Sequence, residues 1–275
     1  MRNRFSGMFS PCPNRLPRVP TMPDASFTPT DRARVKRLHE RGKYDEASIF
    51  AILDAAFIAH VGYVMDGQPF VTPTAFWRQG RTLYWHGSAA SRMLRFQEKG
   101  VPACVTVTHL DGLVMARSGF HHSINYRSVM AFGTAKLVDD PREEAAQLDL
   151  FIDRLYPGRR ADLRPNETQE LKGTTVIAME IEEASAKSRS GMPKDDAADY
   201  ALGCWAGVIP IHQIVGKPEA DPLLKPGIAF PDGLSGYAAA AVRSPTLLPA
   251  IPATGHWRKA SSKRRTSTLC PKSRH

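Results

Sequence analysis

Two tight turns, Asp66-Gly67 and Gln79-Gly80, cut one stretch of the chain into three strands with room to pair only as neighbours. Asp-Gly readily takes the left-handed backbone of a two-residue hairpin, so residues 57–64 should fold back on residues 70–77. Residues 82–86 then complete an antiparallel meander. Farther along, Val101, Ala103, Val105 and Val107 alternate with polar or small residues, and Asp111-Gly112 reads as another tight turn leading into 113–118. Residues 125–138 form a long strand with Tyr126, Ser128, Met130 and Phe132 on one face and Arg127, Val129 and Ala131 on the other. Ile177, Met179 and Ile181 alternate in a further strand, and 207–211 reads as a last one.

Three helices interrupt these strands. One begins at Asp45 and carries Ile49, Ile52, Leu53 and Ala56 on one side. A second covers 91–99. The third opens on Asp139-Asp140-Pro141, an acidic, proline-led start, with Ala145, Leu148, Ile152 and Leu155 as its apolar stripe. Strand-helix-strand alternation is missing, and neither a G-x-G-x-x-G motif nor a P-loop occurs. The fold class expected is therefore mostly β with flanking helices, closed into a barrel that leaves few exposed edges.

The net charge of +10 over 275 residues is unevenly placed. Residues 1–30 carry +3 and residues 243–275 carry +8, which leaves −1 for the stretch between. A basic face on the folded body would suggest a nucleic-acid partner, whereas basic, proline-rich ends read as solvated tails. The organisation expected is a disordered arm at 1–30, one domain over 31–231 and a disordered basic tail at 232–275. Cysteines 12, 104, 204 and 270 are too scattered for a disulfide framework and form no Cys-x-x-Cys pair, so neither a zinc site nor any other metal is expected. No apolar run approaches a membrane span, and prolines break any signal-peptide core near the start, so the location expected is cytoplasmic, without a nucleic-acid or membrane partner.

The chemistry-bearing segment is 83–94, where a short aromatic strand runs through His86 and Gly87 into Ser88, Ser91 and Arg92 at a helix start. Backbone N–H groups at such a turn, two hydroxyls and a planar guanidinium together suit a phosphate. An ordinary strand-to-helix turn capped by Ser91 accounts for the same residues, and a second segment, Phe120 to Ser128, tips the balance. With both in hand, the chain resembles the flavin-nucleotide-binding branch of the pyridoxamine 5′-phosphate oxidase-like superfamily, related to nitroimidazole-resistance reductases. The resemblance runs over roughly residues 31–230. Its motifs are residues 67–74, 86–92, 121–128, 183–187, 193–200 and 205–208.

That resemblance implies a split β-barrel homodimer with FMN between the subunits. On it, Ser88, Ser91 and Arg92 would hold the phosphate, and Pro73 and Thr74 would edge the ring system. His86 would lie near the flavin as a proton donor or acceptor. Tyr126, Arg127 and Ser128 would add stacking, charge and a hydroxyl, and Trp205 an aromatic wall. The activity implied is an FMN-dependent oxidoreductase passing hydride between a donor such as a reduced nicotinamide and a small-molecule acceptor. A non-catalytic FMN-binding, storage or sensing protein is the alternative. Arg and His substrate ligands near the C-terminus, as in the better-known oxidases, have no counterpart beyond residue 212, which sets vitamin B6 oxidation aside.

Overall fold

The computed structural model describes residues 25–235. Strand β1 (Gly42–Lys43) is followed by helix α1 (Glu46–Asp54), whose start is capped by the Asp45 carboxylate accepting from the Ser48 N–H at 2.8 Å. Then come β2 (Ile58–Met65), β3 (Gln68–Gln79) and β4 (Thr82–Ser88), and the short helix α2 (Arg92–Gln97). Strands β5 (Val101–Met115) and β6 (Ser123–Leu137) form one long hairpin. Helices α3 (Pro141–Leu155) and α4 (Thr168–Lys172) precede β7 (Thr174–Glu180), β8 (Glu183–Arg189) and β9 (Gly207–Pro210). No helix of the described residues is long and apolar enough to cross a membrane.

The expected meander forms, with β2, β3 and β4 as antiparallel neighbours. Asp66 and Gly67 both have positive φ, 52° and 77°, as a two-residue hairpin turn requires. Pairing then runs β4 to β7, β7 to β6, β6 to β5 and β5 back to β2, so six strands close a ring. The fold is a split barrel. Strands β8 and β1 extend the sheet beside β6, and β9 extends it beside β5.

Three expectations are corrected. Asp111-Gly112 is no hairpin, because β5 runs unbroken through it and the register against β6 shifts between Leu110 and Gly112. The extra residue is absorbed as a bulge, which a strand with a partner on each side tolerates better than a reversal. In α3 the buried residue is Gln147, which accepts from the Trp77 indole N–H at 3.0 Å and donates to the Gln79 side-chain oxygen at 2.8 Å. The expected arm over 1–30 ends early, since Phe27 is 4% exposed and packs in the core. Residues 1–24 and 236–275, which carry the rest of both tails, lie outside the described residues, while Asp232–Leu234 form a single 3-10 turn.

Alternation along the strands sorts side chains into two layers. Inside the barrel lie Val61, Leu83, Trp85, Val105, Val129, Ile177 and Met179, with the Trp85 N–H donating to the Gln97 side-chain oxygen at 2.9 Å. A second layer of Trp77, Tyr84, Val138, Val176 and Ala178 packs beneath Leu148 and Phe151 of α3. Helix α3 thus covers one part of the outer surface and leaves the rest of the β2, β3, β5 and β6 face open. Ile58, Val64, Val71 and Met130 are exposed there.

Candidate functional site

The turn between β4 and α2 is drawn tight by the Ser91 N–H donating to the Ser88 carbonyl at 2.8 Å. The Ala89 N–H donates to the Gly173 carbonyl, which ties the turn to the end of α4. Ser88 accepts from the Ala90 N–H through its hydroxyl oxygen, which leaves the hydroxyl proton free to be donated. Ser91 occupies the cap position, yet its hydroxyl makes no capping bond. Arg92 stands beside them with its guanidinium 5.1 Å from the centre of the Phe70 ring, and no carboxylate of the described residues pairs with it. Nearby Arg95 is used by the turn itself, donating to the Ala89 carbonyl at 2.8 Å, whereas Arg78 pairs with Asp54 and Arg81 with Glu46. Two open hydroxyls and an unpaired guanidinium are an anion-binding set.

Phe70 stacks on Tyr63 with ring centres 5.6 Å apart, and both line a cavity of about 550 Å³ on the open face. Arg32, Pro102, Cys104 and Phe132 complete much of its wall. Burial pushes the Cys104 thiol above its usual range, which keeps it protonated. Pro73 points outward, opposite His60 in the β2 register, while Thr74 lies on the inward side and donates its hydroxyl to the Ala75 carbonyl at 3.2 Å. Tyr126 and Ser128 share the outward side of β6, where Ser128 donates to the Lys187 carbonyl at 3.1 Å. The structure therefore brings Pro73, Tyr126 and Ser128 onto one surface.

His86 sits in the layer beneath α3. Its ring lies 4.5 Å from that of Phe151 and 5.8 Å from that of Trp77, and its Nδ1 is buried without a partner. Burial lowers its pKa, so the imidazole is neutral around neutral pH. It also lines a cavity of about 260 Å³ with Asn166 and Glu170. There the Arg164 hydrogen bond holds the Glu170 carboxyl down at about 2.

Arg127 is committed elsewhere. Its guanidinium grips the Asp111 carboxylate with two bonds, at 2.9 and 2.8 Å, and these hold the Asp111 carboxyl below its ordinary value. Asp111 is the bulged residue of β5. Together with His109 and His212 the pair lines a cavity of about 590 Å³, separate from the Ser88–Arg92 turn. In the sequence Asp111 reads as a turn residue and nothing marks His109; the signal for this pair is an Asp-Gly inside an otherwise continuous apolar alternation. Trp205 is 63% exposed and lies against Gly207 of β9, where an added Cβ would meet its ring at 2.8 Å. His121, Asp195 and Asp199 bring donor atoms within 4.8 Å of one another, but Asp195 already accepts from the Arg117 backbone N–H and guanidinium.

No curated protein matches the chain. Among solved structures it is similar to the flavocytochrome Anf3 from Azotobacter vinelandii, with 47% identity over 76% of this chain and 98% of that one and a TM-score of 0.73. It is also similar to a FAD and heme binding protein from Mycobacterium smegmatis, with 37% identity over 72% of this chain and 97% of that one and a TM-score of 0.69. The family model described as pyridoxamine 5′-phosphate oxidase matches residues 45–188, which is more than half of the chain and takes in β2 to β7 and most of β8. By its barrel, its motif order and that match, the chain belongs to the pyridoxamine 5′-phosphate oxidase family.

Proposed function

We propose that the chain is a flavin-dependent redox protein that holds the phosphate of its flavin at the Ser88–Arg92 turn and works as a homodimer. The observation that carries the reading is the donor set itself, an arginine with no carboxylate partner among the described residues beside two serine hydroxyls with protons to give. A phosphate monoester or diester satisfies all three groups, so the residues present fit a flavin nucleotide. FMN is the smallest flavin that carries a phosphate. FAD, named for the 37% identical relative, contains the same riboflavin phosphate and is the second reading of the same turn.

When bound, the flavin supplies the redox chemistry, accepting hydride from a donor such as a reduced nicotinamide and returning electrons to a small acceptor. The chain's own task is to bind, orient and exclude water. Phe70 and Tyr63 offer an apolar wall next to Arg92, while Pro73 lies on the other, outward side of β3. A second copy placed over that face would cover Ile58, Val64, Val71 and Met130 and close the groove. In this reading His86 supports the sheet from beneath α3 as a neutral ring, without donating a proton to the flavin. The relatives named flavocytochrome and FAD and heme binding protein favour one addition, a heme bound by the same chain.

A visible spectrum of the purified protein and mass identification of the released chromophore test the reading directly. A flavin spectrum is expected. A colourless protein that takes up neither FMN nor FAD in titration would end it. Arg92→Ala should weaken FMN by about 10- to 100-fold, the loss of one charge-assisted contact, and leave riboflavin nearly unchanged. Equal losses for both ligands would move the phosphate away from this turn.

A further inference from the structure

Resting on the heme reading above, we infer that Nε2 of His122 is the axial ligand of that heme, and that a face built from Trp205, Ile209, Leu113 and Ile124 is the wall its porphyrin lies against. The imidazole of His122 is already oriented for the task. Its Nδ1 lies 2.8 Å from the Ser118 carbonyl oxygen, which can only accept, so the proton sits on Nδ1 and the lone pair on Nε2. A backbone carbonyl at the far ring nitrogen is the support that metal-bound histidines use to fix tautomer and raise basicity. Nε2 itself is left without a partner on an exposed side chain.

The other histidines of the described residues fit less well. His109 has Nε2 tied up at 3.0 Å from the Ile52 carbonyl. His121 has Nδ1 on the Ser118 hydroxyl and Nε2 turned toward Asp196 at 3.8 Å, while His86 is wedged between Trp77 and Phe151. His39, His60 and His212 have no side-chain hydrogen bond among the described residues to fix their rings.

The surface next to His122 is apolar and continuous across three strands. Leu113 stands in register with Ile124 on β6 and with Ile209 on β9, and these three are 40%, 44% and 41% exposed. Gly207 and Ile209 point to the same side of β9, and the Trp205 ring lies where a Gly207 side chain would be, so the indole joins this face. His122 comes two residues before Ile124 and so falls on the same side, with Phe120, 91% exposed, on the adjoining turn. A flat apolar wall with one bare imidazole nitrogen at its end suits an iron porphyrin, whose rings need apolar cover and whose metal needs one strong nitrogen donor.

Hemin titration of the full-length protein, read by the Soret band and by ferric electron paramagnetic resonance, tests the assignment. Wild-type protein should bind hemin with a histidine-ligated spectrum. His122→Ala should lower hemin affinity by ~100-fold or more and lose that signature, with flavin content unchanged. Added imidazole should restore the signature, and His122→Met should shift the Soret band instead of abolishing it, which shows the fold intact. His60→Ala and His121→Ala should leave the spectrum as in wild type. An unchanged spectrum in His122→Ala, or loss in His60→Ala instead, would overturn the assignment while the heme reading stands. Wild-type protein that keeps its flavin and takes up no hemin would overturn both.

Discussion

At the scale of single residues, the environment of His86 has a measurable consequence. Burial between Trp77 and Phe151 holds its pKa below the ordinary value. In the unfolded chain the ring takes a proton as the pH falls through ~6.5, whereas in the fold it stays neutral to a lower pH. The unfolded state then binds more protons across that window, so stability is full above it and declines as the pH falls. A His86→Leu variant should therefore lose less Tm than wild type between about pH 7 and pH 5. Parallel acid-side losses in the two proteins would locate the linkage elsewhere. The burial of His86 was only half legible beforehand, because an aromatic strand announces apolar neighbours but not which helix will lie on them. Arg127 was harder still. Its partner Asp111 is sixteen residues away along the chain and is presented by a bulge, a feature that sequence alternation does not encode.

Among the elements, β6 sets the closure of the barrel by pairing with β5, β7 and β8 along different parts of its length. Gly133 stands where that exchange of partners occurs, and a Cβ there would come within 2.1 Å of the Glu180 carbonyl oxygen. Backbone cannot give way as a flexible side chain would. Gly133→Ala should accordingly destabilise the protein by about 3 kcal/mol or more. Gly119→Ala, where nothing lies within 4 Å, should stay within about 0.5 kcal/mol. Chemical denaturation of the pair checks both values, and equal midpoints would mean that the seam between β6 and β7 yields. Elements with strong local signals were readable in advance, such as α1 behind its Asp45 cap and the β2–β3 hairpin at Asp66-Gly67. Strand β8 was not, because Glu183-Ala-Ser-Ala-Lys has little apolar alternation and gains its place from pairing with β6. The Ser88–Arg92 turn was legible as a phosphate cradle, but that Arg92 meets no acid among the described residues is a tertiary fact.

For the whole molecule, the open face of the barrel argues for a second copy. Val64 and Val71 are 60% and 68% exposed on adjacent strands, an unusual cost for a chain that stays alone. The double substitution Val64→Lys, Val71→Lys should yield a monomer by sedimentation and release flavin with it, since each groove would lose its opposite wall. A dimer that survives the two lysines would place the interface on another face. The charge distribution gives only an expectation about nucleic acid as a partner of the folded body, whereas the surface left uncovered became visible once the strands were assembled. The N-terminal segment carries a practical lesson. Phe27 reaches the core edge-on to Phe50, Thr30 and Arg32 both bond Glu183, and Ser26 bridges to Asp45. A version trimmed to the first residue of the family match would discard this clasp and open a void beside α1 as large as a benzyl group, so any shortened form has to begin upstream of Ala25.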